Sequence, residues 1–226
     1  MTTDDRHVHR PTLTVNEHTT VYTIPVGPHE LDNNAYLVVD TATGHSAIID
    51  AAFDPDTLQT ALSTHNAQLT TLITTHCHPD HWQGNQALLD ANPNLRSYSH
   101  RNEQATITPT PTHTITDGDT ITVGDHTTLH ILTATGHKAV YTDHICTSVI
   151  IVIDDTTPII LTGDTLFPAG VGNTCGDTDA FTTLLHDVTT KLFDRYRDGH
   201  ILPGHGNPSS LATERRNLPE WVARQW

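Results

Sequence analysis

Short, mostly apolar segments separated by polar turn residues recur along this chain, which predicts β-strands joined by turns. Residues 21–24, 35–39 and 46–49 are such segments, and Gly27-Pro28 and Thr43-Gly44 mark turns between them. Further short apolar runs, each predicted to be a strand, occupy residues 129–132, 148–153, 159–161 and 201–202.

Helix signals interrupt these strands. Asp54 followed by Pro55 predicts a helix start, and this helix should run through Leu62. Asp177 opens a second predicted helix that reaches about Phe193. The other predicted segments are a helix at 83–90, a surface connection at 106–116, and a final helix at 214–226 that Pro219 breaks. Because the strands occur in both antiparallel and crossover contexts, we expect an α/β protein with mixed sheets.

Length and charge narrow the function classes. The 226 residues suit one domain, 1–226, with a sizeable core. A formal net charge of −15 argues against nucleic acid or an anionic membrane surface as partner.

No apolar stretch is long enough to span a bilayer, and the polar first residues lack the apolar core of a signal peptide. Three scattered cysteines suit a reducing cytoplasm. The sequence does not decide whether the protein forms a homodimer.

The densest chemistry lies in residues 75–81, Thr-His-Cys-His-Pro-Asp-His. On extended backbone His76 and His78 share a face, while Asp80 and His81 follow a turn and point at a second position nearby. Imidazole and carboxylate ligands suit zinc, iron or manganese. The chain has 18 histidines, so a chance cluster on a polar loop is the competing interpretation.

Three later segments repeat one pattern, in which a short apolar strand is followed by a glycine and then a metal-ligand residue. They place His137 after Gly136, Asp164 after Gly163, and His205 after Gly204. A carboxylate at Asp164 has two oxygens and could bridge two ions. Taken singly, Asp164 could be a helix cap and His205 a solvated loop histidine. Together and in this order the segments predict a site for two metal ions.

The order HxHxDH, GH, GDTLF and PGHG resembles the metallo-β-lactamase superfamily, and within it the short glyoxalase-II-like hydrolases. The resemblance runs from about Val21 to the end of the chain. It implies an αββα sandwich of two mixed β-sheets flanked by helices. It also implies two divalent ions, with zinc expected and iron or manganese as alternatives. The implied ligands are His76, His78 and His137 for the first ion, Asp80, His81 and His205 for the second, and Asp164 as the bridge.

The same resemblance implies a hydrolase that attacks a carbonyl carbon with metal-bound hydroxide, which the catalytic residue Asp80 orients. The expected substrate is a small acyl thioester, as for a hydroxyacylglutathione hydrolase. The alternatives are a lactonase that uses the same site, a mononuclear iron persulfide dioxygenase, and a metal-binding protein without catalysis. True zinc β-lactamases carry Cys or Ser where this chain has Asp164, so β-lactam hydrolysis is not expected.

Two loops depart from the family pattern, at residues 138–146 and 167–175, and we expect them to set substrate preference. Lys138 and Arg215 are the cations nominated to hold an acidic substrate. Cys77, which lies inside the ligand turn, is interpreted as a small buried filler. The candidate substrate contacts are Asn34, Lys138, Tyr141, His144, Phe167 and Asn173.

Overall fold

The computed structural model describes residues 12–140 and 142–224. Seven strands form the first sheet: β1 Thr12–Thr14, β2 Thr19–Val26, β3 Asn33–Asp40, β4 His45–Ile49, β5 Gln68–Ile73, β6 Arg96–His100 and β7 His113–Ile115. The later strands are β8 Thr120–Val123, β9 Thr127–Thr135, β10 Thr147–Ile153, β11 Ile159–Gly163, β12 Leu166–Phe167, β13 Gly170–Val171, β14 His200–Pro203 and β15 Ser209–Ser210. The α-helices are α1 Pro55–Thr64, α2 Asn85–Ala91, α3 Thr178–Val188 and α4 Leu211–Arg224, and a π-helical turn at Thr189–Phe193 follows α3.

Both large sheets are mixed, as predicted. The first has the order β1-β2-β3-β4-β5-β6-β7 and changes from antiparallel to parallel pairing at β4. The second has the order β15-β14-β11-β10-β9-β8, with one parallel pair, β11 and β14. Strands β12 and β13 form a separate two-stranded ribbon.

Successive side chains of the central strands point to opposite faces of each sheet, so the two sheets lie between two layers of helices. On β4 and β10, Ile49 and Ile151 belong to the apolar cluster between the sheets. Their neighbours Ile48 and Ile150 face the opposite way, Ile48 into the cluster that contains Leu58 of α1 and Ile150 into the cluster under α3 and α4. Since successive strand residues point to opposite faces, each central strand is apolar on both. The expected αββα sandwich is confirmed.

Two local predictions are wrong. The last helix is not broken at Pro219: α4 starts at Leu211 and continues through it. Pro219 removes one helical hydrogen bond, but fully buried Trp221 packs in the same cluster as Phe193 and holds the following turn in place. The segment 106–116 is not simply a surface connection, because it contains β7 and the fully buried Ile107.

Chain direction places the predicted ligands at one edge. Strands β9 and β11 each pair antiparallel with β10, and β14 pairs parallel with β11. The three strands therefore run the same way, and their carboxyl ends lie side by side. The end of β5 joins them from the other sheet, where the backbone N–H of Val149 donates to the carbonyl of Thr75 at 2.8 Å. None of the described helices combines the length and apolarity that crossing a bilayer requires.

Candidate metal centre

Three imidazole nitrogens converge at the carboxyl ends of β5 and β9. Nδ1 of His78 lies 2.9 Å from Nε2 of His76 and 3.1 Å from Nε2 of His137. All three side chains are buried. Such a cluster of nitrogen atoms offers three ligands to one ion.

A second set lies beside the first. Nε2 of His81 is 3.2 Å from Nε2 of His205, and Oδ2 of Asp80 is 3.3 Å from the same His205 atom. A short 3₁₀ turn at Pro79–His81 brings Asp80 and His81 round to this position. His205 arrives from the loop after β14, and its backbone forms a bridge with Asn33.

Asp164 lies between the two sets. Its Oδ1 is 3.5 Å from Nε2 of His81, while its Oδ2 is 3.5 Å from Nε2 of His137 and 3.4 Å from Nε2 of His205. Oδ1 is buried and, within the described part of the chain, takes part in no hydrogen bond. A buried carboxylate oxygen that accepts no hydrogen bond is costly, even with the His81 ring beside it, and a divalent cation would satisfy it. The donor set therefore fits two ions that share Asp164.

Two glycines make room for this arrangement. A Cβ at Gly204 would lie 2.3 Å from Oδ1 of Asp164 and 2.8 Å from the ring of His81. Gly136, at φ +141°, would place a Cβ 2.3 Å from the carbonyl oxygen of Ala180. Close packing therefore requires the glycine before His205 and the glycine before His137, and at Gly136 the positive φ favours glycine as well.

The outer nitrogen of each histidine is also held. These contacts join Nδ1 of His76 to Oγ1 of Thr75 (3.0 Å), Nδ1 of His81 to Oδ2 of Asp50 (2.8 Å), Nδ1 of His137 to the carbonyl of Asn173 (3.0 Å), Nδ1 of His205 to the carbonyl of Leu31 (2.5 Å), and Nε2 of His78 to Sγ of Cys146 (3.5 Å). Such partners fix ring orientation and tautomer. The sequence interpretation missed Asp50, although it follows the apolar strand β4 just as the ligands follow theirs.

Burial and charge divide the histidines into two kinds. Burial lowers the pKa of His76 and His137 and lowers the pKa of His78 to about 4. At pH 7 these rings are neutral and can offer a lone pair to a metal ion. The first set is therefore ready to bind a cation without losing a proton.

In the second set, the histidine rings favour the protonated, positively charged form. Burial opposes it, but the Asp164 carboxylate raises the pKa of His81, with Asp50 assisting, and raises the pKa of His205 to about 10. Burial likewise opposes ionisation of Asp80 and Asp164, but His205 and His81 hold the pKa of both carboxyl groups below its usual value. Both carboxylates are therefore ionised at neutral pH and available as ligands.

The family model described as the metallo-beta-lactamase superfamily matches residues 30–205. This range covers most of the chain and includes all seven candidate ligands. The chain belongs to the metallo-β-lactamase superfamily. A curated relative, the cytoplasmic hydroxyacylglutathione hydrolase of Arabidopsis thaliana, is 30% identical over 148 residues, which are 62% of this chain and 52% of the relative. The chain thus matches only about half the length of that relative.

Two solved structures share the fold. The BLEG-1 B3 metallo-β-lactamase superposes with a TM-score of 0.75 at 23% identity and covers 88% of this chain and 98% of its own. ETHE1 from Myxococcus xanthus superposes with a TM-score of 0.71 at 24% identity and covers 88% of this chain and 83% of its own. At these identities the comparison shows a common fold.

An open cavity of about 480 Å³ lies over the two sets in this superfamily member. Of the predicted substrate contacts, Lys138 and Asn173 line it. Nζ of Lys138 lies 3.3 Å from a carboxylate oxygen of Asp177. The lining also includes residues that were not among the predicted contacts, such as the polar Gln83 and the apolar Leu31, Phe53 and Val140.

Other predicted contacts lie elsewhere. Asn34 is buried on β3, and its amide donates to the carbonyls of Pro203 and Gly206. The amide that faces the site is that of Asn33, which donates to the Asp80 carbonyl at 2.9 Å. The sequence could not separate these neighbours, because the choice depends on which face of β3 meets the 203–206 loop.

His144 is also misplaced by the sequence interpretation, since Nε2 of this residue contacts Glu103 instead of the cavity. Phe167 lines a separate surface hollow, with its ring 6.4 Å from that of His205. Tyr141 lies outside the described residues. Arg215, nominated as a substrate cation, donates to the backbone carbonyls of Phe193 and Tyr196.

Proposed function

We propose that the protein is a dinuclear metal-dependent hydrolase that cleaves small acyl thioesters. The observation that carries the proposal is Asp164, whose two carboxylate oxygens reach toward two adjacent sets of ligand atoms. The Arabidopsis relative, named a hydroxyacylglutathione hydrolase, supports the thioester class. The chemistry that two divalent ions supply in such a site is acidification of water and polarisation of a carbonyl group.

The residues of the chain would share this work as follows. His76, His78 and His137 would hold one ion, and Asp80, His81 and His205 the other, with Asp164 common to both. The set holds only nitrogen and oxygen donors, so zinc, iron and manganese all suit it, and we propose zinc. Asp80 lies at the cavity wall, where its second oxygen would accept a hydrogen bond from the attacking water and orient it.

The cavity suits a short acyl group better than an acidic thiol. Leu31, Phe53 and Val140 are apolar residues of its lining, and the non-histidine cation among the lining residues is Lys138. Glutathione carries two carboxylates, which would need further cations to be held. We therefore propose a weak dependence on the glutathione moiety. A cytoplasmic location goes with this proposal, since all three cysteines are free thiols.

Elemental analysis of protein purified without added metal, followed by kinetics, tests the proposal. The expected result is hydrolysis of both a glutathione thioester and a truncated-thiol analogue, with negligible β-lactam turnover. A preference for the glutathione compound above about a hundredfold, roughly 2.7 kcal/mol of transition-state binding, would show a dedicated glutathione site. A single iron together with oxygen consumption and no thioester cleavage would overturn the hydrolase assignment in favour of a dioxygenase.

A further inference from the structure

A second cluster of ligand-type side chains lies on the outer side of His78, away from the seven residues described above. It consists of Cys77, Glu103, His144 and Cys146, which we call the Cys–Glu–His cluster. One potential ligand atom from each residue can be chosen so that all four lie within 4.8 Å of one another. These residues come from the ligand turn, the loop after β6, and the segment before β10.

The spacing within the cluster matches that of ligands on one ion. Sγ of Cys77 and Sγ of Cys146 are 3.8 Å apart, so they are unbonded thiols. Zinc–thiolate bonds of about 2.3 Å in a tetrahedron place two sulfur atoms about 3.8 Å apart. On the other side of the cluster, Nε2 of His144 lies 3.0 Å from a carboxylate oxygen of Glu103.

Burial and charge also point to a cation. Glu103 is fully buried, and within the described part of the chain it forms an ion pair with His144. Oε1 of Glu103 accepts the backbone N–H of Thr147 at 2.9 Å, which fixes the carboxylate toward the thiols. Charged carboxylates are almost never fully buried unless they are paired or bind a metal. His144 is partly exposed, which leaves a path by which an ion could enter.

The alternative is that the two cysteines only fill space, since they share a small apolar cluster with Ile107. Filling space does not account for a buried carboxylate and an imidazole at the same point. It also leaves His78 as the one ligand histidine whose outer nitrogen meets sulfur, with Sγ of Cys146 at 3.5 Å. A metal-bound thiolate carries negative charge and would accept the Nε2–H of His78, as one hydroxyl, one carboxylate and two carbonyls do for the other four rings.

We propose that Cys77, Glu103, His144 and Cys146 bind one zinc ion, separate from the two ions of the hydrolytic centre. Four protein ligands leave no open position, so this ion is structural. Both thiols release their protons to solvent when the ion binds. The ion would tie the segment before β10, which departs from the family pattern and contributes Val140 to the cavity, to the turn that carries His76 and His78.

Cobalt substitution tests this directly, because the hydrolytic centre contains no sulfur ligand. Reduced protein loaded with excess Co²⁺ should show thiolate-to-cobalt charge-transfer absorption in the near ultraviolet. The band should weaken in Cys77→Ser and in Cys146→Ser, each of which keeps one thiolate, and vanish in the double variant. It should persist in Cys175→Ser, which removes an exposed cysteine outside the cluster. This readout does not depend on turnover, so it stands apart from the fate of the hydrolase proposal.

Zinc stoichiometry gives the second readout. Wild-type protein should retain three zinc ions per chain, and His144→Ala and Glu103→Gln should each retain two. These variants keep both cysteines and every residue of the hydrolytic centre, so they remain informative if a cysteine variant does not fold. Absence of the cobalt band in reduced wild-type protein, an undiminished band in Cys146→Ser, or its survival in the double variant would overturn the proposal. Unchanged zinc content in both His144→Ala and Glu103→Gln would also overturn it.

Discussion

Asp50 and His81 form a buried pair in which Oδ2 of the carboxylate accepts the Nδ1–H of the ring at 2.8 Å. The same Oδ2 accepts the hydroxyl of Thr75 at 2.8 Å, and Thr75 in turn contacts Nδ1 of His76 at 3.0 Å. One carboxylate therefore orients a histidine from each of the two metal-ligand sets. It does so without reaching either proposed ion.

Asp50→Asn should lower metal affinity by about 10- to 100-fold, because the rings of His81 and His76 lose the group that fixes them. Competition against a chromophoric chelator measures this. Asp40→Asn is the matched control: Asp40 is equally buried and accepts backbone N–H groups from residues 125 and 126, far from the site. The control should lose stability but not metal affinity. Equal losses of affinity in both variants would assign Asp50 a purely structural role.

Asp164→Asn should reduce the hydrolytic rate at least about a hundredfold while the fold is retained, because it removes a ligand shared by both ions. Steady-state kinetics and circular dichroism on the same preparation separate the two effects. Asp90→Asn, at an exposed carboxylate on α2, serves as the control and should be silent. Turnover near that of the wild type would place the bridging carboxylate elsewhere.

The stability of the metal-free protein should fall as pH rises, because His205 holds a proton in the folded state that it loses when unfolded. The pKa of His205 is raised to about 10 in the folded protein, against about 6.5 in the unfolded chain. The stabilisation is therefore fully present below pH 6.5 and is lost as the pH rises through about 10.

Urea unfolding of chelator-treated protein at pH 7 and pH 10 measures this loss, which should be at most a few kcal/mol. His205→Gln cannot take up the proton and should show a smaller difference between the two pH values. Metal-loaded wild type should also show a smaller difference, since the ion replaces the proton. Identical pH dependence in wild type and His205→Gln, both metal-free, would contradict the raised pKa.

Lys138→Met should raise KM for acyl thioesters with a carboxylate on the acyl group by about three- to tenfold, with kcat unchanged. The reason is that Lys138 supplies positive charge at the cavity wall. Neutral acyl thioesters should be unaffected. Lys191→Met removes the other lysine, which pairs with Asp187 away from the cavity, and should change neither substrate class. A KM that rises equally for neutral and acidic substrates would indicate a packing role instead.

The sequence by itself indicated the proposed ligand set and the fold class that holds it. Four of the seven ligands lie within residues 76–81, where one turn orients them. The other three each follow an apolar strand and a glycine, and parallel strands bring such ends to one edge. The patterns of strands and helices indicated a mixed α/β protein, and the family resemblance implied the αββα layering, in which a strand such as β4 is buried on both faces.

Tertiary structure alone decided what surrounds those ligands. Asp50 meets His81 across 31 positions of sequence, and Cys77 meets Cys146 across 69. The choice between Asn33 and Asn34, and the pairing of His144 with Glu103, depend on which faces two distant loops present to each other. Local spacing constrains only neighbours along the chain. Contacts between distant segments arise when burial of apolar surface packs the two sheets together, and their partners follow from that packing.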